Sequence, residues 1–257
     1  MNILPLDKLP PSQKSPTKLF IFSSPKVGKT TACALLEDSL ILDFEGGTTY
    51  LDARKIRVIG ISTPTESNDV KQDRYTKGVY YLQEVATAIK EAKYPYKYIV
   101  VDTVTALEDM AKEYAKEIYK RTPQGKDFKL DSILHLPKGN GYQWLREAMD
   151  RICATLESLA PRIIYVGHLK LTSFDKEGKE LNVMDVDLTG KIKSSMTSKA
   201  DAIGLLVRKD NKVYISFKMG EDVIAEARAE HLANKVILLT EKVDGNVIAH
   251  WDSIYID

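Results

Sequence analysis

Two cysteines, Cys33 and Cys153, are all the thiol in a chain of 257 residues. They lie far apart without metal-ligand spacing, which excludes a cysteine-built zinc site and argues against a disulfide scaffold. Both fall in apolar, helix-like stretches, so buried free thiols in a reducing compartment are expected. An excess of charge of either sign is also missing. Lys plus Arg number 37 and Asp plus Glu 36, for a net charge of +1. Any surface for nucleic acid must therefore be local. No apolar run is long enough to cross a bilayer, and the N-terminus lacks the charged-then-apolar pattern of a secretory leader. A soluble, cytoplasmic protein is expected. There is no internal repeat or low-complexity tract. Hydrophobic residues, at 44%, suffice for one core, which predicts a single α/β domain over residues 18–257 after an irregular, proline-bearing lead-in at 1–17.

Against those absences one segment stands out. Lys18-Leu-Phe-Ile-Phe-Ser-Ser-Pro-Lys-Val-Gly-Lys-Thr-Thr31 reads as an apolar strand, a turn and a helix start. This is the layout of a phosphate-binding loop, in which backbone N–H groups at the helix N-terminus hold phosphate oxygens. The predicted loop comprises Ser23, Ser24, Pro25, Lys26, Val27, Gly28, Lys29, Thr30 and Thr31. Lys29 would reach the β- and γ-phosphates of ATP, and the Thr30 hydroxyl would ligate Mg²⁺. One position departs from the motif: its first glycine is Ser23 here.

Strand and helix patterns alternate after the loop. A helix is expected over 28–36, strands over 39–43 and 57–61, and a helix over 79–92. A strand follows at 98–101, then helices at 105–119 and 142–159, and a strand at 162–167. The segment 121–140, with its prolines, glycines and lysines, reads as a loop or poorly ordered insert. Alternation of this kind predicts a mainly parallel sheet flanked by helices. The C-terminal part differs, with hairpin patterns at 170–181, 202–218 and 236–249, which predict antiparallel strands appended to that sheet.

Three polar residues close apolar strands. Asp102 ends Tyr98-Ile-Val-Val101, which suits a Walker B carboxylate holding Mg²⁺ through water. Glu45 follows Leu40-Ile-Leu-Asp-Phe44, at the sheet edge where open α/β folds bind ligands. It is either the base that polarises an attacking water or a solvated loop glutamate. His168 ends Arg162-Ile-Ile-Tyr-Val-Gly167, as a sensor of the γ-phosphate or as a structural hydrogen-bonder.

Taken together, Pro25-Lys-Val-Gly-Lys-Thr30, Asp43-Phe-Glu-Gly-Gly47, Val101-Asp-Thr103 and Gly167-His-Leu-Lys170 resemble the RecA/KaiC-type ATPase core. More closely, they resemble the short, core-only RecA-like and AAA-type nucleotide-binding proteins of bacteriophages, some of which act in single-strand annealing. The resemblance covers roughly residues 18–240. It implies a catalytic glutamate at Glu45, a γ-phosphate sensor at His168, ATP and Mg²⁺ as ligands, and assembly into a ring or filament. It also implies single-stranded DNA as partner, with a single-strand binding protein as a further one, in recombination, annealing or replication.

Two DNA-contacting loops belong to that resemblance. The first would lie within 121–141, with Arg121, Lys126, Lys129 and Lys138. The second would be 188–199, where Lys191, Lys193 and Lys199 occur without an acid among them. Those lysines could equally reach the γ-phosphate of a neighbouring subunit. A different reading remains open at this point, a nucleotide-dependent switch acting on a protein partner without direct DNA binding. A small-molecule kinase fits less well, because no dense arginine cluster lies between Asp102 and His168.

Overall fold

A computed structural model describes residues 11–60, 68–174, 180–220 and 223–256. The strands pair in the order β11-β10-β8-β7-β1-β5-β4-β2-β3, with β6 on β5 and β9 on β7. The central block is parallel: β1 (Lys18–Ser23), β2 (Ser39–Asp43), β3 (Lys55–Arg57), β4 (Tyr98–Asp102), the first part of β5 (Arg162–Phe174), and β7 (Ala202–Lys209) against β1. The remaining pairs are antiparallel, namely β5 with β6 (Glu180–Val186), β7 with β8 (Lys212–Ser216) and β9 (Glu226–Ala227), and β10 (Val236–Val243) with β8 and β11 (Asn246–Ala249). This is the predicted parallel sheet with antiparallel strands at its C-terminal end.

β2 and β4 are buried at every residue, and β1 at every residue after Lys18, because both faces of the sheet are covered there. β1 shows the division. Leu19 and Ile21 face one core, with Ala32 and Cys33 of α1 (Lys29–Ala34), Trp251 and Ile254. Phe20 and Phe22 face the other, with residues of α2 (Asn68–Glu91), α3 (Val104–Lys120), α4 (Asn140–Glu157) and α5 (Gly190–Lys199). The period-two alternation of a strand thus feeds two separate hydrophobic layers. Register sets the functional edge. Ser23 lies opposite His168, and Asp43 opposite Asp102. The carboxyl ends of β1, β4 and β2 therefore come level with His168, which does not end its strand as expected: β5 runs on to Phe174 instead of stopping at 167, because β6 pairs with it beyond the point where β1 ends.

Several expectations change. Helix α2 begins at Asn68 rather than near residue 79. Only its second half carries the buried stripe Val79, Leu82, Val85, Ala86 and Ile89, so the polar first turns leave no periodic signal. The third strand is Lys55–Arg57, not 57–61, although Val58 and Ile59 are buried beyond it. The segment 121–140 is not an unstructured insert. It forms short 3₁₀ turns at Ile133–His135 and Pro137–Gly139, pinned by buried Ile133 and by Lys116 Nζ donating to the Asp131 carbonyl at 3.0 Å. The segment 188–199 is not a loop either: Gly190–Lys199 is helix α5, with Ile192 buried. Of the lead-in, residues 11–17 hold no helix or strand, yet they are docked. Thr17 donates through N and Oγ1 to Asp201, and Ser15 Oγ accepts from Ile256 N. The lead-in before residue 11 and the middle of the hairpin pattern expected at 170–181, residues 175–179, lie outside the described residues.

Candidate active site

The loop between β1 and α1 needs two residues in the left-handed region, Lys26 at φ 64° and Gly28 at φ 117°. Glycine takes that conformation freely, whereas Lys26 adopts it against the steric preference of a side chain. Ser23 is fully buried at the end of β1. Its Oγ donates to the Ser24 carbonyl at 2.8 Å and accepts from Lys29 Nζ at 3.1 Å. The ammonium also donates to the carbonyls of Ser23, at 3.1 Å, and Ser24, at 3.2 Å. Serine in place of glycine thus adds one acceptor for Lys29, a role the motif alone did not suggest. Burial lowers the Lys29 pKa, and the charges of Asp102 and Glu45 partly oppose the shift.

Thr30 Oγ1 donates to Asp102 Oδ2 at 2.7 Å. Asp102 is 3% exposed. Burial raises its carboxyl to about 6; the hydrogen bond from Thr30 opposes this, and the charges of Asp43 and Glu45 add to it. Gly47 closes the same space. A Cβ there would stand 3.4 Å from Thr30 Oγ1 and 3.7 Å from Asp102 Oδ2. A hydroxyl and a carboxylate converging beside a bare backbone is an all-oxygen donor set of the kind Mg²⁺ prefers.

Glu45 and His168 meet. His168 Nε2 lies 2.9 Å and 3.0 Å from the two Glu45 carboxylate oxygens, and Thr103 Oγ1 donates to Glu45 Oε1 at 2.5 Å. Burial would raise the Glu45 pKa. The bonds from His168 and Thr103, with the charges of His168 and Lys29, outweigh it and hold the carboxyl below its ordinary value. The far imidazole nitrogen, His168 Nδ1, is buried and has no hydrogen-bond partner among the described residues. Asp43 shapes the loop that carries Glu45. It accepts from the backbone N–H groups of Glu45, Gly46 and Thr48 and from the Thr48 hydroxyl. A buried aspartate folding the next five residues around its carboxylate explains why Glu45 points at the site.

Sequence reasoning missed Thr103 and the positioning role of Asp43. Thr103 had one legible signal, as the N-cap of α3, where its hydroxyl accepts from Ala106 N. It also left out Arg208, whose Nε donates to the Val27 carbonyl at 3.1 Å.

The three lysines predicted to meet DNA are not equivalent. Lys193 is ion-paired with Asp185, and Lys199 lies 3.0 Å from Asp150. Lys191 is exposed and borders a groove between α4 and α5 together with Gln143 and Arg146. None of the three is placed at the cluster around Lys29.

Comparison with known proteins gives the following. Two solved structures share a distant likeness of shape: a KaiC-like protein of Pyrococcus horikoshii (12% identity, 91% of this chain and 89% of that one, TM-score 0.41) and the RadB recombinase (12%, 91% and 90%, 0.42). No curated protein matches the sequence. The model of one family, described as AAA domain, matches residues 15–231 and so spans β1 and all the site residues above; the chain belongs to this AAA domain family.

Proposed function

We propose that the chain is a RecA-like ATPase which binds ATP with Mg²⁺ on the β1–α1 loop and hydrolyses it, and that residues 18–257 act as one ATPase unit. One observation carries the reading. Four separately predicted strand ends bring Lys29, Thr30 with Asp102, and Glu45 with His168 to one edge of the sheet.

In this scheme the loop N–H groups and Lys29 bind the phosphates. Thr30 and Asp102 hold Mg²⁺, which supplies charge neutralisation when bound. Glu45 takes a proton from the water whose oxygen attacks the γ-phosphorus. The bond from phosphorus to the ADP oxygen breaks, leaving ADP and phosphate. Its lowered pKa keeps Glu45 ionised at neutral pH, as a proton acceptor must be. Thr103 and His168 orient its two oxygens, and His168 senses the γ-phosphate through that contact.

The finer reading, a DNA-stimulated oligomeric ATPase serving recombination, annealing or replication, rests on the resemblance of the motifs, with Arg146 and exposed Lys191 lining one groove that also carries Glu147 and Asp150. A bacteriophage source, a role in single-strand annealing and a single-strand binding protein as partner rest on the resemblance of the motifs. The engagement of Lys193 and Lys199 by acids favours a second reading, a nucleotide switch acting on a protein. ATPase assays with and without single-stranded DNA separate the two. In the same assay, Glu45→Gln should retain ATP but hydrolyse it orders of magnitude more slowly, while Lys29→Ala should fail to bind. Parental turnover by Glu45→Gln would remove Glu45 from the mechanism.

A further inference from the structure

Arg208 stands where neither the motif nor the chemistry above calls for a residue. It lies near the end of β7, the strand that pairs with β1 on the side away from β5. From there its side chain crosses to the phosphate loop. Nε donates to the Val27 carbonyl at 3.1 Å, and a Cβ built on Gly28 would lie 3.3 Å from Nη2. The guanidinium thus rests on the peptide joining Val27 and Gly28. That peptide is trans, since the cis bond among the described residues is Asp102–Thr103. In a trans peptide the C=O and the following N–H point in opposite directions. Holding the Val27 oxygen outward, toward β7, therefore aims the Gly28 N–H inward, to the concave side of the loop.

Three effects add. The peptide is held in one orientation before a ligand arrives, so less ordering remains to be done on binding. A cationic donor on the carbonyl polarises the peptide and strengthens its N–H as a donor. The positive charge lies behind the loop, where it favours an anion. The left-handed Gly28, at φ 117°, supplies the backbone turn that makes this orientation possible.

We propose that Arg208 is a positioning residue of the phosphate site, acting in cis through the Val27–Gly28 peptide to tighten binding of the polyphosphate part of a nucleotide. This rests on the reading of the loop as a nucleotide site. Arg208 touches the loop and not the reacting atoms, so its effect falls on affinity and KM rather than on kcat.

Titration with ADP, and competition with inorganic pyrophosphate as a ligand lacking the base, tests it on the full chain. Losing one charge-assisted hydrogen bond should weaken ADP about tenfold in Arg208→Ala, with a parallel loss for pyrophosphate. Arg208→Lys, which keeps a cationic donor, should stay within about threefold of the parent. The side chain is exposed, so the melting midpoint without nucleotide should hardly move. If Arg208→Ala does unfold, the Lys variant and Arg208→Gln, a neutral donor, still rank the effect; equal ADP affinity in both and in the parent overturns the proposal. A loss for ADP with pyrophosphate unchanged would place the guanidinium on the base and also overturn it. So would a fall in kcat at unchanged KM. Should the parent protein itself bind neither ADP nor pyrophosphate, the nucleotide reading fails; parental binding with an indifferent Arg208→Ala sinks this inference alone.

Discussion

Burial at the end of β4 sets Asp102 against the stability of the chain. Its carboxyl is raised from the ordinary 3.8 to about 6. For an acid, a raised folded-state pKa means that the folded protein holds the proton more tightly than the unfolded chain. The contribution of Asp102 to stability is then most favourable below pH 3.8, declines as the pH rises through the window up to 6, and stays lower at neutral pH. At 1.36 kcal/mol per unit the cost is at most roughly 3 kcal/mol. Asp102→Asn removes this charge, so its melting midpoint in chelator at pH 7–8 should exceed that of the parent, with the gap narrowing toward pH 4. The same variant should lose Mg²⁺-dependent turnover. A lower midpoint throughout would mean that the Thr30 bond outweighs the burial of the charge. Sites that trade stability for a buried ligand are a recurrent feature of functional residues.

Helix α5 is the element whose assignment changes most between sequence and structure. Read as a lysine-bearing loop, 188–199 invites replacement of all three lysines with the fold intact. As a helix it is held at three points. Glu108 Oε2 accepts from Thr189 N at 3.0 Å, Asp185 pairs with Lys193, and Asp150 with Lys199. Asp185 is 7% exposed. Lys193→Ala leaves that carboxylate without its cation and should lower stability by about 1–3 kcal/mol, read by urea unfolding. Lys191→Ala, on the exposed face, should leave the unfolding curve in place. If α5 contacts single-stranded DNA, Lys191→Ala with Arg146→Ala should weaken binding and flatten the salt slope by about two units. An unchanged slope assigns DNA to another surface, and a destabilising Lys191→Ala would contradict its exposure.

At the scale of the molecule, the sheet places its phosphate loop in the middle and leaves β3 and β11 at its edges. Both cores are closed within one chain, and Trp251 ties the C-terminal region back to the start by donating from Nε1 to the Ala32 carbonyl at 2.8 Å, under α1. The proposed catalytic cluster is less complete. Lys29 is the cation among the residues proposed to touch phosphate; Arg57 lies beside Glu45, but its guanidinium is turned to backbone, with Nη2 donating to the Glu45 carbonyl at 3.5 Å and Nε to the Ile59 carbonyl at 3.3 Å. Phosphoryl transfer commonly uses a further cation there, which a neighbouring copy can supply. Light scattering with ATP and Mg²⁺ should therefore show a species larger than 28.9 kDa, and specific activity should rise with protein concentration. Full, concentration-independent turnover from a monomer would rule out a shared site. Among the described residues no helix is long and apolar enough to cross a membrane.

The strand-loop-helix layout at 18–31, the alternation of strands and helices, and the placing of Asp102 and Glu45 at the ends of β4 and β2 were legible in the sequence alone. Each rests on local chemistry: a turn that only certain backbones can make, a period of burial, a polar residue closing an apolar run. Tertiary structure decided what depends on register and on which strands pair. Local pattern cannot say that β5 lies between β1 and β4, so the approach of His168 to Glu45 across 123 positions of chain was invisible until the sheet was assembled. The same holds for Arg208, which reaches Val27 only because β7 pairs with β1. It holds for α5, whose polar sequence carries little helical periodicity and which is fixed by carboxylates from β6, α3 and α4. Residues that act through their neighbours along the chain can be read from the chain; those that act through neighbours in space wait for the packing to bring them together.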